Sequence, residues 1–159
     1  MCIRDRTGIH LRFDNAMAHR IEAGADMFLM PSRYEPCGLN QLYSLKYGTV
    51  PVVRATGGLK DTIIDYNDKT ARTGQATGFS FEPYDADALL ETLKRAVALF
   101  DDKETWKGLM VNGMKQDWSW KRAAREYIDL YNWALGRLQR SNTPDTGARA
   151  VWEKTETGR

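Results

Sequence analysis

Four consecutive apolar residues, Met27-Phe28-Leu29-Met30, stop at Pro31-Ser32, and a polar loop from Arg33 to Gly38 leads into helical spacing at Leu39, Leu42, Tyr43 and Leu45 or Lys46. A run this short suits a strand buried on both faces, and strand–loop–helix is the unit from which parallel sheets are assembled. The unit recurs. Val50-Pro51-Val52-Val53 reads as a second strand that begins at Pro51, because proline has no N–H to donate within a ladder, and Thr56-Gly57-Gly58 is the turn after it. Gly78-Phe79-Ser80-Phe81 is a third strand.

Helices fill the intervals. Residues 14–24 carry apolar groups at helix-like spacing, at Ala16, Met17 and Ile21 with or without Ala18, and end at Gly24, and Gly48 ends the helix that starts at Leu39. Leu59 to Tyr66 is a short helix or a connection, and polar residues 67–77, with Gly74, are a surface loop. Asp85 caps residues 86–100, which turn Leu89, Leu93, Ala96 or Val97 and Phe100 inward. Residues 103–115 form a further amphipathic helix, and Ser119 caps residues 120–138, with Ala124, Tyr127 or Ile128, Tyr131, Leu135 and Leu138 inward. The fold class is α/β, an open sheet with helices on its faces. Three short strands make a thin sheet with edges to cover, which points to part of something larger.

Composition bounds the function. A chain of 159 residues suits one domain, at roughly 150 residues per domain. Lys and Arg total 23 and Asp and Glu 21, and a net charge of +2 supports neither a nucleic-acid nor a membrane-surface partner. No apolar run approaches the length of a bilayer span, and the charged start, Met1 to Arg6, lacks the apolar core of a signal peptide. Cys2 and Cys37 cannot staple a secreted mini-protein, so a reducing compartment is expected. From Ser141 to Arg159 the polar composition, with Pro144, Gly147 and Gly158, reads as a disordered tail.

The chemistry concentrates in Pro31-Ser32-Arg33-Tyr34-Glu35-Pro36-Cys37-Gly38-Leu39-Asn40-Gln41. This stretch lies between a strand end and a helix start, the edge at which open α/β sheets bind ligands. Pro36 holds Glu35 extended, and Gly38 removes a side chain where a ligand could approach the backbone. The N–H groups of Leu39, Asn40 and Gln41 are then free to meet a phosphate, aided by the helix dipole. A carboxylate at Glu35 is out of place for holding an anion but suits a sugar hydroxyl or a developing positive charge. The plainer role for a glutamate there is to cap the helix. Thr56-Gly57-Gly58 leaves the second strand on the same edge, so both loops line one crevice; alone it would be a bare turn.

Other candidates carry less. His19 lies in the first helix with no second His, Cys or Asp at ligand spacing, so no metal site is expected, and His10 adds nothing. Cys37 has no histidine partner in its loop and reads as a resting thiol. Trp118, Trp120, Tyr127, Tyr131 and Trp133 suit core packing or docking on another domain rather than glycan stacking.

From Ala25 through Tyr43, with the contiguous stretch Glu35-Pro36-Cys37-Gly38-Leu39-Asn40-Gln41-Leu42, the chain closely resembles the bacterial glycogen synthases and plant starch synthases. The likeness continues through Lys46 to Val53 and Thr56-Gly57-Gly58-Leu59, and it returns at Gln116 to Trp120 and Ala124 to Tyr127, covering most of Leu11 to Leu138. It implies a partial Rossmann-like domain over residues 11–138, the later half of the second of two domains that face a cleft. A non-native-looking leader, residues 1–10, would precede it and a disordered polar tail, residues 139–159, would follow.

Enzymes of that family transfer glucose from ADP-glucose to the non-reducing end of an α-1,4-glucan, with retention and without a metal or other cofactor. Matched by position, Glu35 is the family's essential glutamate beside the transferred glucose, where it would support an oxocarbenium-like state. Cys37, Gly38, Leu39 and Asn40 match the loop and helix start at the donor's phosphates and glucose. Phe13 falls where the family often has a tyrosine beside the adenine, and it keeps the stacking face. Thr56, Gly57 and Gly58 match the second glycine turn of the cleft. Tyr43 stands where many related glycosyltransferases place a second glutamate.

The family's basic pair that grips the donor phosphates has no counterpart here, and neither has the N-terminal domain that carries most acceptor contacts. Catalysis in a cleft needs both walls, so the isolated chain is expected to be inactive. The implied partners are ADP-glucose and an α-1,4-glucan, with no nucleic acid and no membrane, in the bacterial cytoplasm or alternatively a plastid. Two other readings stand beside this one: a related transferase with another nucleotide-sugar donor, and a free-standing, non-catalytic nucleotide-sugar or glycan-binding module.

Overall fold

The computed structural model describes residues 6–141, with side chains through residue 137. Residues 1–5 of the expected leader and 142–159 of the expected tail lie outside the described residues. Two compact units divide the chain after Gln116.

In the first unit the order is α1 (Asn15–Gly24), β1 (Met27–Met30), α2 (Asn40–Tyr47), β2 (Val50–Arg54), α3 (Gly58–Thr62), α4 (Asp68–Thr73), β3 (Phe79–Phe81), α5 (Ala86–Phe100) and α6 (Lys103–Lys115). The strands pair in parallel in the order β1-β2-β3, with Met27 opposite Val50 and Val52 opposite Phe79. Side chains alternate across the pleat, so β2 feeds two cores. Val50 and Val52 meet Phe79, Ala96, Trp106 and Leu109 under α5 and α6. Val53 meets Met30, Leu45, Leu59 and Ile63 under α2 and α3. Helices therefore cover both faces of the sheet, and its strands all end at one edge, where the loops after β1, β2 and β3 emerge.

Local chemistry explains the helix ends. Asp14 accepts from the Met17 amide, Asp85 from Ala88 and Asp102 from Thr105, each a side chain taking up an amide left free in a first helical turn. Gly48 closes α2 in the left-handed conformation, φ 84°.

Four expectations change. β1 is not buried on both faces: it is an edge strand, and Leu29 is 45% exposed, although Met27 on the same face packs against the core under α5 and α6. Pro51 is the second residue of β2, not the first. It is tolerated because Val50 donates to Asp26 on the β1 side, which turns the Pro51 nitrogen toward β3, where pairing begins only at Val52. Residues 67–77 are not all loop. Asn67 accepts from the Lys69 and Thr70 amides while Thr70 Oγ1 accepts from the Asn67 amide, a reciprocal cap that nucleates α4. On α1 the buried residue is Glu22, whereas Ile21 is exposed, because α1 packs on α2 through its His19–Glu22 face.

The second unit holds α7 (Trp120–Ser141). Its Trp120, Tyr127, Tyr131 and Trp133 are all more than half exposed, so the core-packing role expected for them is not met among the described residues. Among those residues no helix is long and apolar enough to cross a membrane.

Glu22 is 3% exposed, and its Oε2 has no hydrogen-bond partner among the described residues. Burial pushes its carboxyl above the usual range, partly offset by His19, whose Nδ1 lies 3.9 Å from Oε2. A raised folded-state pKa contributes stability that is complete below about pH 4.5 and is lost as pH rises through the folded value. Glu22→Gln is expected to remove that slope and to gain stability over the parent at pH 7. Denaturant titrations of both proteins at pH 4.5 and 7 check this, and parallel pH profiles would contradict it.

Candidate functional site

Two loops meet at the edge where the strands end. The first runs from Pro31 to Leu39 and the second from Ala55 to Gly57. Their backbones touch: the Gly58 amide donates to the Pro36 carbonyl at 3.1 Å. A Cβ at Gly57 would sit 2.0 Å from the Glu35 carbonyl oxygen, and one at Gly58 would sit 2.0 Å from that of Cys37. Gly57 also has φ 46°, in the region that favours glycine. Thr56-Gly57-Gly58 is thus more than a bare turn, because its glycines allow the loop carrying Glu35 to lie against it.

Gln41 fastens the same loop from beneath. Its side chain is fully buried, and Nε2 donates to the carbonyls of Cys37 and Gly38, each at 3.1 Å, and to Thr62 Oγ1 at 3.3 Å. Thr62 Oγ1 in turn donates to the Gly58 carbonyl at 2.6 Å, which closes a ring of contacts between the two loops. Arg54, the last residue of β2, ties a third strand end to the first: Nη1 donates to the Arg33 carbonyl at 2.8 Å and Nε to the Glu82 carbonyl at 3.1 Å. Its guanidinium also lies 5.3 Å from the centre of the Tyr84 ring.

Above this base the surface is open. Glu35 is half-buried and Cys37, Leu39 and Asn40 are exposed. α2 starts at Asn40 with Leu39 as its cap residue and has no side-chain cap. Glu35 therefore does not cap the helix, and the amides of Leu39, Asn40 and Gln41 have no acceptor among the described residues. The first turn of α2 presents free donors and a positive dipole end, and the Glu35 side chain, on the loop that leads into it, has no hydrogen-bond or ion-pair partner among the described residues.

The remaining candidates fall into place around the loops. Phe13 is 98% exposed, just before the Asp14 cap of α1. α1 leads into β1 and packs on α2. Tyr43 sits one turn into α2 and packs its ring 5.2 Å from that of His19. Among the described residues no group of His, Cys, Asp and Glu could hold a metal ion. A cavity of about 740 Å³ lies between Asp65, Lys69, Phe79 and Arg95, and none of the loop residues lines it.

Gln41, Thr62 and Arg54 are the residues that sequence reasoning missed as side chains. The buried face of α2 is Gln41, Ser44 and Leu45, while Leu39 is 59% exposed. A glutamine among leucines reads as a surface residue; the signal that could have found it is a long polar side chain one turn after a glycine loop. Gly58→Ala is expected to cost about 1–3 kcal/mol, because two backbones must separate to admit the methyl. Gly24→Ala, where nothing lies within 4 Å of the new Cβ, is expected to be near neutral. Equal denaturation midpoints for the two variants would contradict the account.

Comparisons with known proteins bear on the family of the chain. Residues 3–107 match the family described as glycosyl transferases group 1. The chain is 57% identical over 127 residues to a glycogen synthase of Koribacter versatilis, covering 80% of this chain and 26% of the relative. It is 49% identical over 136 residues to a glycogen synthase of Fervidobacterium nodosum, 86% of this chain and 27% of the relative. Among solved structures, the catalytic domain of starch synthase IV from Arabidopsis thaliana, bound to ADP and acarbose, matches with a TM-score of 0.71 at 38% identity, over 79% of this chain and 26% of that one. The chain thus spans about a quarter of the length of these relatives.

Proposed function

This chain belongs to the group 1 glycosyl transferases, and we propose that it forms the donor-side part of a longer enzyme that transfers glucose from ADP-glucose to the non-reducing end of an α-1,4-glucan with retention. The observation that carries this reading is the Glu35–Asn40 segment: a loop whose carboxylate has no partner among the described residues, leading into an uncapped helix start and held at the strand-end edge by Gly57, Gly58 and Gln41. The 57% identity to a glycogen synthase supports glucose as the group transferred, and the ADP and acarbose bound to the starch synthase structure support an adenine nucleotide and a glucan as ligands.

In this proposal the diphosphate of the donor lies on the backbone of Cys37, Gly38, Leu39 and Asn40. As the bond from the glucose C1 to the diphosphate oxygen breaks, negative charge grows on the phosphate, and amides already aimed at it stabilise that charge without reorganising. The glucose meanwhile takes on oxocarbenium character, which the Glu35 carboxylate supports from within the crevice. Thr56, Gly57 and Gly58 form the wall behind the sugar, and Phe13 offers a ring face to the adenine. Residues 11–138 would be the later part of the second of two domains, in the bacterial cytoplasm. The opposite wall of the cleft, with most acceptor contacts, would come from the rest of the enzyme.

Glu35→Gln in the full-length enzyme is expected to lower kcat by at least about 100-fold while affinity for ADP is kept, because the group acts on the reacting sugar and not on the nucleotide. Radiolabelled glucose incorporation into glycogen measures the first and ADP inhibition the second. A variant as fast as the parent would overturn the reading. Incorporation by the 159-residue chain alone would overturn the claim that the other wall is required.

A further inference from the structure

The hydrogen bonds beneath the loop fix more than its position. Three consecutive carbonyls, those of Pro36, Cys37 and Gly38, all point inward: the first accepts from the Gly58 amide and the next two from Gln41 Nε2. In a trans peptide the C=O and the following N–H point in opposite directions, and the described chain contains no cis peptide bond. The N–H groups of Cys37, Gly38 and Leu39 therefore all point outward, and none has an acceptor among the described residues. They run directly into the free amides of Asn40 and Gln41, so five successive donors lie on the outer side of the loop and helix start.

Such a row is not the resting state of a backbone. Carbonyls and amides of an unconstrained loop rotate to whichever partner or water is nearest. Here the side chain of Gln41 holds two of the three peptide planes. It does so at a cost to itself, since its Oε1 is buried without a partner among the described residues. The same oxygen lies where a Cβ on Gly38 would fall, 2.4 Å away, so the loop can close over Gln41 only because residue 38 is glycine.

We propose that Gln41 is a positioning residue for the departing diphosphate: its buried amide turns the peptide planes after Cys37 and Gly38 so that their N–H groups meet the charge that grows as the donor bond breaks. The proposal rests on the donor reading given above for Glu35–Asn40. In this role the Gln41 side chain touches neither donor nor sugar; it acts through the backbone, and Thr62 and Gly58 complete its support.

A purely structural role and a positioning role part company in kinetics. Gln41→Met in the full-length enzyme keeps the length and the packing but removes both N–H donors. It is expected to lower kcat about 10- to 100-fold and to weaken ADP inhibition, while the KM for glucan stays unchanged. Leu45→Ala, in the core beneath the same helix, serves as the stability control. It is expected to lower the thermal midpoint yet keep ADP inhibition and the rate per folded molecule. Should Gln41→Met fail to fold, Gln41→Glu has the same shape, sets a carboxylate against the two carbonyls, and carries the same expectation. A folded Gln41 variant with parental kcat and ADP inhibition would overturn the proposal, and so would loss that merely follows the thermal midpoint as in Leu45→Ala. Glu35→Gln run alongside separates the two claims: if it retains full rate the donor reading itself fails, and if it is inactive while the Gln41 variants are normal, only the positioning role fails.

Discussion

The contact between two backbones at the strand-end edge is the constraint from which the site follows. Gly57 and Gly58 have no Cβ, so the Glu35-Pro36-Cys37 segment can lie within hydrogen-bonding reach of the turn after β2. A Cβ at either position would lie 2.0 Å from a carbonyl oxygen of that segment, so the segment could not stay where it is. Once the segment is seated, its carbonyls are committed inward to Gly58 and Gln41, and the opposite side of each peptide plane is committed to donors. The direction in which the loop's amides point is thus set by interactions on its hidden side.

The rest of the first unit serves that arrangement. β2, buried against two cores, is the rigid member, and β1 and β3 are placed by pairing with it. Arg54 extends this order past the sheet by binding carbonyls of the loops after β1 and β3. Glu35 is left with no structural task, which is the condition a carboxylate needs to act on a ligand. Its neighbours supply rigidity, and rigidity is what lets preorganised dipoles stabilise charge without reorganising.

Strand–helix order and the parallel sheet are legible in the chain, and the stretch Glu35–Gln41 stands out in it as the candidate site, because each is carried by local pattern: short apolar runs, a capping Asp85, glycines after strands. What escaped depends on partners distant in sequence. Gln41 is buried only because Thr62 and Gly58 come round to meet it. Leu29 reads as core by hydrophobicity but is exposed, since periodicity does not report how many strands flank a given one. Pro51 looked out of place inside a strand because the side toward which its nitrogen points depends on the register with β3. α4 was hidden by polar composition, and the Asn67–Thr70 cap, a four-residue signal, outweighs it.

The most direct test of the account is where a nucleoside diphosphate touches this chain. Backbone amide resonances of the 159-residue protein should be followed by NMR as ADP is added to millimolar concentration. The amides of Cys37, Gly38, Leu39 and Asn40 are predicted to shift together along one binding curve, with those of the groove around Asp65 and Arg95 unmoved. Shifts confined to that groove, or none in residues 37–40, would contradict the claim that this edge is built to hold a diphosphate.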